Sequence, residues 1–351
     1  MKNESAYICR LDLWEANDKY AFHRIPGMLV TSNGTLLVYC EARAELSDWA
    51  MMDVLLQRSV DGGETFSEKV KIASGTPEHP TVNNPVMVQD QKGRIHFLYC
   101  EDYAVGEGRL LRRFSDDDGL TWSKPIDITP FTMPEYRNAL ALGPGHGVSM
   151  KDGTLVFPLW MVPKRFQEPL HFHKPSEVST IYSKDFGETW AVGELLPTTS
   201  EVVNPNETSL ALTSDGKVYL NIRQLGTHRV KAYSVTGYSD WTDYAPDYAL
   251  PDPRCFGSVS SYDDGKRPYA LIFANCACQT ERKNVVVRMS TDDGKTYPFS
   301  RVIDAERGGY VETAVDVARD RIYVLYENNK GETCHFVAFN RAWLESGEVV
   351  F

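Results

Sequence analysis

The chain has no apolar run approaching the length of a membrane-spanning helix, so insertion into a bilayer is not expected. No Lys/Arg cluster is long enough to form a nucleic-acid patch, and 37 Lys and Arg against 48 Asp and Glu leave a formal charge of -11. Such a surface repels polyanions and argues against a nucleic-acid partner, so any bound anion must be met by a few focused arginines. No Pro/Gly/Ser-rich linker or charge run separates domains, and residues 1–351 are read as one domain. The opening Met1-Lys2-Asn3-Glu4-Ser5 lacks the apolar core of a signal peptide. That predicts a cytoplasmic protein, or a secreted or periplasmic one whose leader has been removed. Seven cysteines, an odd number scattered from Cys9 to Cys334, do not make a disulfide framework and are read as reduced, mostly buried thiols. Cys276-Ala277-Cys278 has the wrong spacing for a zinc knuckle and no Cys/His pair nearby, so no metal site is expected. Long amphipathic helices are missing too, and Arg341-Ala342-Trp343-Leu344-Glu345 is the one short helical candidate.

What the chain does have is a repeat. Ser59-Val60-Asp61-Gly62-Gly63-Glu64-Thr65-Phe66 returns at Ser115 to Trp122, Ser183 to Trp190 and Ser290 to Tyr297 as Ser-x-Asp-x-Gly-x-Thr-aromatic. The residue types describe a turn between strands: Asp bonds the turn backbone, Gly accepts positive φ, and the ring tucks beneath. The box Asp is therefore structural. The Ser residues are spaced 56, 68 and 107 apart, and a worn copy, Ser234 to Trp241, lies within the widest interval. Alternating strand candidates flank the boxes, among them Asp53–Arg58, Arg94–Cys100, Gly153–Pro158, Lys217–Ile222, Val285–Met289 and Arg321–Tyr326. A repeat of roughly 55 residues made of short strands predicts an all-β, six-bladed β-propeller of four-stranded antiparallel blades. In that architecture residues far apart in sequence converge at one mouth of the central channel, about one from each blade.

Several local motifs are spread along the chain: Phe22-His23-Arg24-Ile25-Pro26, Asp48-Trp49-Ala50-Met51-Met52-Asp53, Asn84-Pro85-Val86, Gly143-Pro144-Gly145-His146-Gly147, Asn206-Glu207, Arg254-Cys255-Phe256-Gly257-Ser258, Arg282-Lys283-Asn284 and Phe339-Asn340-Arg341-Ala342-Trp343-Leu344. In this order and spacing the chain resembles the sialidases (neuraminidases) of the Asp-box type over nearly its whole length. It departs from the family pattern at His23, which stands between Phe22 and Arg24, and at Val311-Glu312-Thr313 after Tyr310, where Ser-Asp-Leu is more usual.

The resemblance implies that Arg24, Arg223 and Arg282 clamp a substrate carboxylate. A planar guanidinium suits that task, since it holds a carboxylate through two parallel bonds and stays charged. Taken singly, each arginine is equally a surface charge or a blade-to-blade salt bridge. The family's general acid/base matches Asp48, with Trp49, Met51 and Met52 as apolar neighbours able to keep it protonated. Asp53, five residues on, is read as structural. The family's nucleophile matches Tyr310 and its supporting base Glu207, because a phenol needs a neighbouring base at neutral pH. A neutral tyrosine also escapes the repulsion that a carboxylate nucleophile would meet from the substrate's own acid group. Arg43 is placed beside the Asp48 loop as a supporting cation.

A retaining exo-glycosidase for terminal α-linked sialic acid is thus implied, acting on sialylated or related acidic glycans without metal or organic cofactor. Two alternatives stay open: a glycosidase for a deaminated or other ulosonic acid, and a carbohydrate-binding propeller without catalysis.

Overall fold

The computed structural model describes residues 5–102, 108–164 and 173–347, so four residues of the N-terminal lead lie outside the described part. Six antiparallel sheets form six blades of a β-propeller, the architecture that the repeat predicts. Blade 1 comprises Phe22–Val30, Leu36–Arg43, Met52–Ser59 and Val70–Ser74. The other blades begin with the inner strands Val82–Gln89, Ala139–Leu142, Thr208–Leu212, Ser258–Tyr262 and Val311–Asp316. Two blades carry an additional short strand: Gly145–His146 pairs in parallel with Val82–Gln89, and Val148–Ser149 pairs with Leu155–Val162. Blade 6 is closed by the other end of the chain, where Ile8–Glu15 pairs with Thr333–Phe339. One turn of helix, Arg341–Glu345, follows that strand, capped by the Asn340 side chain accepting from the Trp343 amide.

Every intact box joins the third strand of a blade to the fourth. In blade 1 the Ser59 hydroxyl accepts from Gly63 N at 2.8 Å and donates to Asp61 Oδ1, which also accepts from Thr65 N at 3.0 Å. The same Gly-to-Ser bond recurs at Gly119, Gly187 and Gly294. The worn copy keeps it between Gly237 N and Ser234, with Thr236 in place of the Asp. Glycine is required here twice over. Gly63 has φ 89°, and a Cβ on it would stand 2.7 Å from Phe336 of the preceding blade. The boxes thus set the approach of one blade to the next as well as turning the chain.

Partial burial pushes the Asp61 carboxyl up, but the Thr65 hydroxyl and amide, with Ser59, hold it below the usual carboxylate range. A depressed carboxylate stabilises above its unfolded pKa and loses that contribution as pH falls through its folded value. Asp117, Asp185 and Asp292 are depressed by the same set of bonds, so urea midpoints should fall on acidification below about pH 4. Asp61→Ala should cost about 1–2 kcal/mol in urea unfolding at pH 7 and flatten part of that dependence. An unchanged midpoint would count against the box as a stabilising turn.

Candidate active site

The first strands of the blades surround the central axis, so their N-terminal ends, the C-terminal ends of the second strands and the loops that follow all reach one face. There they enclose a cavity of about 170 Å³ lined by all seven residues expected from the sequence: Arg24, Arg43, Asp48, Glu207, Arg223, Arg282 and Tyr310. Blade 1 supplies three of them and blade 4 two, rather than one from each blade.

Strand register explains the closest pairing. Thr208 stands opposite Ile222, so Glu207 and Arg223 are the next cross-strand neighbours, and Arg223 N donates to Glu207 O at 2.9 Å. Their side chains form an ion pair that meets Tyr310 from blade 6. The Tyr310 hydroxyl donates to Glu207 Oε1 at 2.6 Å and accepts from Arg223 Nη1 at 2.8 Å. Arg24 and Arg282 lie 5.4 and 5.3 Å from the centre of the Tyr310 ring. Burial raises the phenol well above its ordinary range, and the Glu207 carboxylate adds to the rise against the three arginines. Tyr310 is therefore a neutral phenol bonded to a base, with one guanidinium on its oxygen and two more beside its ring.

Asp48 lies on the loop between the second and third strands of blade 1 and bonds Arg43 Nη1 at 2.7 Å. The expectation that apolar neighbours keep it protonated is not met. Met51 is 50% exposed, Met52 is buried in the third strand, and the Trp49 ring is turned toward His173. Partial burial does push the carboxyl up, but Arg43 and then Arg24 outweigh it and leave it below the usual range. Asp48 is thus an ionised carboxylate beside a cation. Asp53 is structural, as expected, bonded by Tyr20 and Lys71. His23 is a core residue, fully buried 6.2 Å from Trp14, with burial pushing its pKa down to about 4.

Two buried glutamates escape the sequence reading. Glu327, the penultimate residue of the second strand of blade 6, pairs with Arg24 Nε at 3.1 Å and accepts from Ile25 N at 2.7 Å. Glu41, two residues before the end of the second strand of blade 1, pairs with Arg43 and accepts from Asn84 N at 2.7 Å. Both amides belong to residues of positive φ placed before a proline, Ile25 at 55° and Asn84 at 50°, where the inner strand slips register. For a β-branched residue such as Ile25 that conformation is costly and persists only where the surroundings impose it. Each glutamate therefore latches the bulge of the next blade and holds a site arginine. The signal was present: Tyr39-Cys40-Glu41, Tyr99-Cys100-Glu101 and Leu325-Tyr326-Glu327 each place a Glu within two residues of the end of a second strand.

Removing Glu327 leaves a buried guanidinium without its carboxylate. Glu327→Ala should cost about 3–5 kcal/mol in urea unfolding. A loss below 1 kcal/mol would show that the latch carries no stability.

Asn83, Asn84, Asn206, Trp160 and His173 complete the wall, and none of them was singled out from sequence as a site residue. Among the described residues the buried Asn83 Oδ1 has no hydrogen-bond partner. The lining holds four arginines against two carboxylates, a net positive cavity in a chain of formal charge -11. It is sized and charged for a compact monoanion bearing hydroxyl groups.

Residues 67–324 match the family described as a BNR repeat-like domain. The chain is 28% identical over 347 residues to a sialidase of Bacteroides fragilis, covering 89% of this chain and 61% of that protein. It is 30% identical over 352 residues to a sialidase of Micromonospora viridifaciens, covering 92% of this chain and 52% of that protein. The chain thus spans about half to three-fifths of the length of these curated relatives. The solved structure of Hadza microbial sialidase Hz136 superposes with a TM-score of 0.83 at 26% identity, over 93% of this chain and 67% of that one.

Proposed function

Because the chain belongs to the sialidases, within the family built on BNR repeats, we propose that it is an exo-α-sialidase acting with retention through a tyrosyl intermediate, the propeller of residues 1–351 forming one catalytic domain. Arg24, Arg223 and Arg282 hold the sugar carboxylate, which fixes the anomeric carbon over Tyr310. The Tyr310 oxygen attacks that carbon while its proton passes to Glu207, and Asp48 delivers a proton to the departing glycosidic oxygen. Water then enters on the vacated side, Asp48 removes its proton, and the bond to Tyr310 breaks with return of the proton to the phenol. Opposite faces are used in the two displacements by the same carbon, so configuration is retained.

The observation that carries the proposal is the Tyr310 hydroxyl held between Glu207 and Arg223 at 2.6 and 2.8 Å, since a sugar-binding site without catalysis has no use for a buried phenol bonded to a base. Incubation with an aryl α-sialoside, its deaminated counterpart and an aryl β-glucoside tests it. Release of the phenol from the N-acetylated sialoside, with α-configured sugar as the first product by NMR, is expected. Binding without cleavage across pH 4–8, or a first product of inverted configuration, would overturn the proposal.

A further inference from the structure

Between the outer strand of blade 4, Thr242–Pro251, and the outer half of blade 5 runs a groove of about 680 Å³ that shares no lining residue with the active-site cavity. Tyr248 stands on its rim 72% exposed, edge-on to His228 at 5.3 Å. Gln279 reaches His228 from the blade 5 side, with Nε2 3.2 Å from the imidazole Nε2. Tyr297, the aromatic residue of the last box, forms part of the wall, and Lys295 of the same box lies beside it.

Arg288 lines the groove, and its surroundings are unusual for an arginine that is only 8% exposed. It sits two residues before the box Ser290. In blade 1 the residue at that position, Gln57, donates to the Ser67 carbonyl at 2.7 Å. In blade 2 Arg113 donates to the equivalent Ser123 carbonyl at 2.6 Å and also to the Ile72 carbonyl. Arg288 makes neither kind of bond. Its one hydrogen bond among the described residues runs from Nη1 to Asn275 Oδ1 at 3.1 Å, and it forms no ion pair there. The nearby carboxylate of Asp247 is engaged by Lys231 at 3.3 Å. Burial pushes the guanidinium down to about 10, and Tyr297 and Asp247 offset only part of that. A guanidinium offers five N–H donors, and those of Arg288 that Asn275 does not take are not sealed in the core but open on the groove, where an acceptor can reach them.

We propose that this groove is an accessory binding site for a carboxylate-bearing sugar. Arg288 pairs with the carboxylate in the two-bond geometry for which a guanidinium is shaped, and Lys295 adds a second positive charge at the mouth. The rings of Tyr248 and Tyr297 offer flat apolar surface to a pyranose face, while His228 and Gln279 meet its hydroxyls. That the sugar is the same acid taken by the catalytic cavity rests on the function proposed above; the requirement for an acid rests on Arg288 alone. On a polymer carrying many terminal acidic sugars, the second site keeps the enzyme attached between cleavages by raising the effective concentration of the next end.

With the catalytic cavity saturated by the 2,3-unsaturated sialic acid analogue, titration of 3'-sialyllactose, lactose and a glucuronoside should reveal a second, weaker site for the acidic trisaccharide only. Tyr248→Ala and Lys295→Gln, both at exposed positions that leave the core intact, should weaken it by about tenfold, as should Arg288→Gln if that variant folds. The same variants should lose about tenfold in kcat/KM on a multivalent sialylated mucin while hydrolysis of the aryl sialoside stays within about twofold. No binding beyond the blocked cavity, equal binding of lactose, or unchanged affinity in the exposed variants would overturn the site. Binding of the glucuronoside without the sialoside would overturn its assignment to the substrate's sugar. Failure of the analogue to bind at all would instead strike the catalytic proposal, and the acidic-against-neutral titration would still read the groove.

Discussion

Tyr310→Phe is expected to lower kcat on an aryl sialoside by at least about a thousandfold, with the Kd for the unsaturated acidic sugar changing less than about threefold. The variant keeps the ring against which Arg24 and Arg282 lie, and it keeps all three arginines of the clamp, so the carboxylate is still met. What disappears is the oxygen that Glu207 and Arg223 hold between them. Steady-state kinetics beside calorimetric titration separate the two effects. Undiminished turnover would remove Tyr310 from the chemistry, and parallel loss of binding would make it a structural support instead.

Asp48→Asn should lower kcat/KM on an alkyl-linked sialoside by about a hundredfold to ten-thousandfold, and by much less on a sialoside of an acidic phenol, which departs without a proton. The pH profile follows from the site's charges. Asp48 must be protonated to act as an acid, yet Arg43 holds it below the usual range against the push of partial burial. The wild-type kcat/KM, which reports the free enzyme, should therefore fall as pH rises through the acid range. A bound carboxylate offsets the positive charge of the arginines, so the descending limb of kcat should lie at higher pH than that of kcat/KM. Coincident limbs, or a limb that persists in the Asn variant, would assign the titration to another group.

Much of the fold was legible because the box is local chemistry. Ser, Asp, Gly and Thr at fixed spacing satisfy one another within eight residues, so the turn, and with it the blade count, can be read without knowing any long-range contact. The site was legible for a different reason: Arg24, Asp48, Glu207, Arg223, Arg282 and Tyr310 sit in motifs that resemble one family, and the cavity holds all six. The state of Asp48 was not legible. Trp49, Met51 and Met52 follow it in sequence, but the fold directs them elsewhere, and Arg43, expected only as a supporting cation, bonds the carboxylate directly. Glu327 and Glu41 stayed hidden because a glutamate at a strand end reads as an exposed charge until the next blade's bulge is seen to cover it.

By itself the sequence determined the repeat, the turns, the all-β character and which residue types are available for an acid-binding site, since each of these depends on short-range pattern. Only the tertiary structure decided how the ring closes, with Ile8–Glu15 completing the last blade, and which charges face one another across blade boundaries. The physical reason is range. Turn propensity and strand alternation act over a few bonds along the chain, whereas the protonation of Asp48, the latching of Arg24 and the isolation of Arg288 depend on desolvation and on which charges the fold brings face to face.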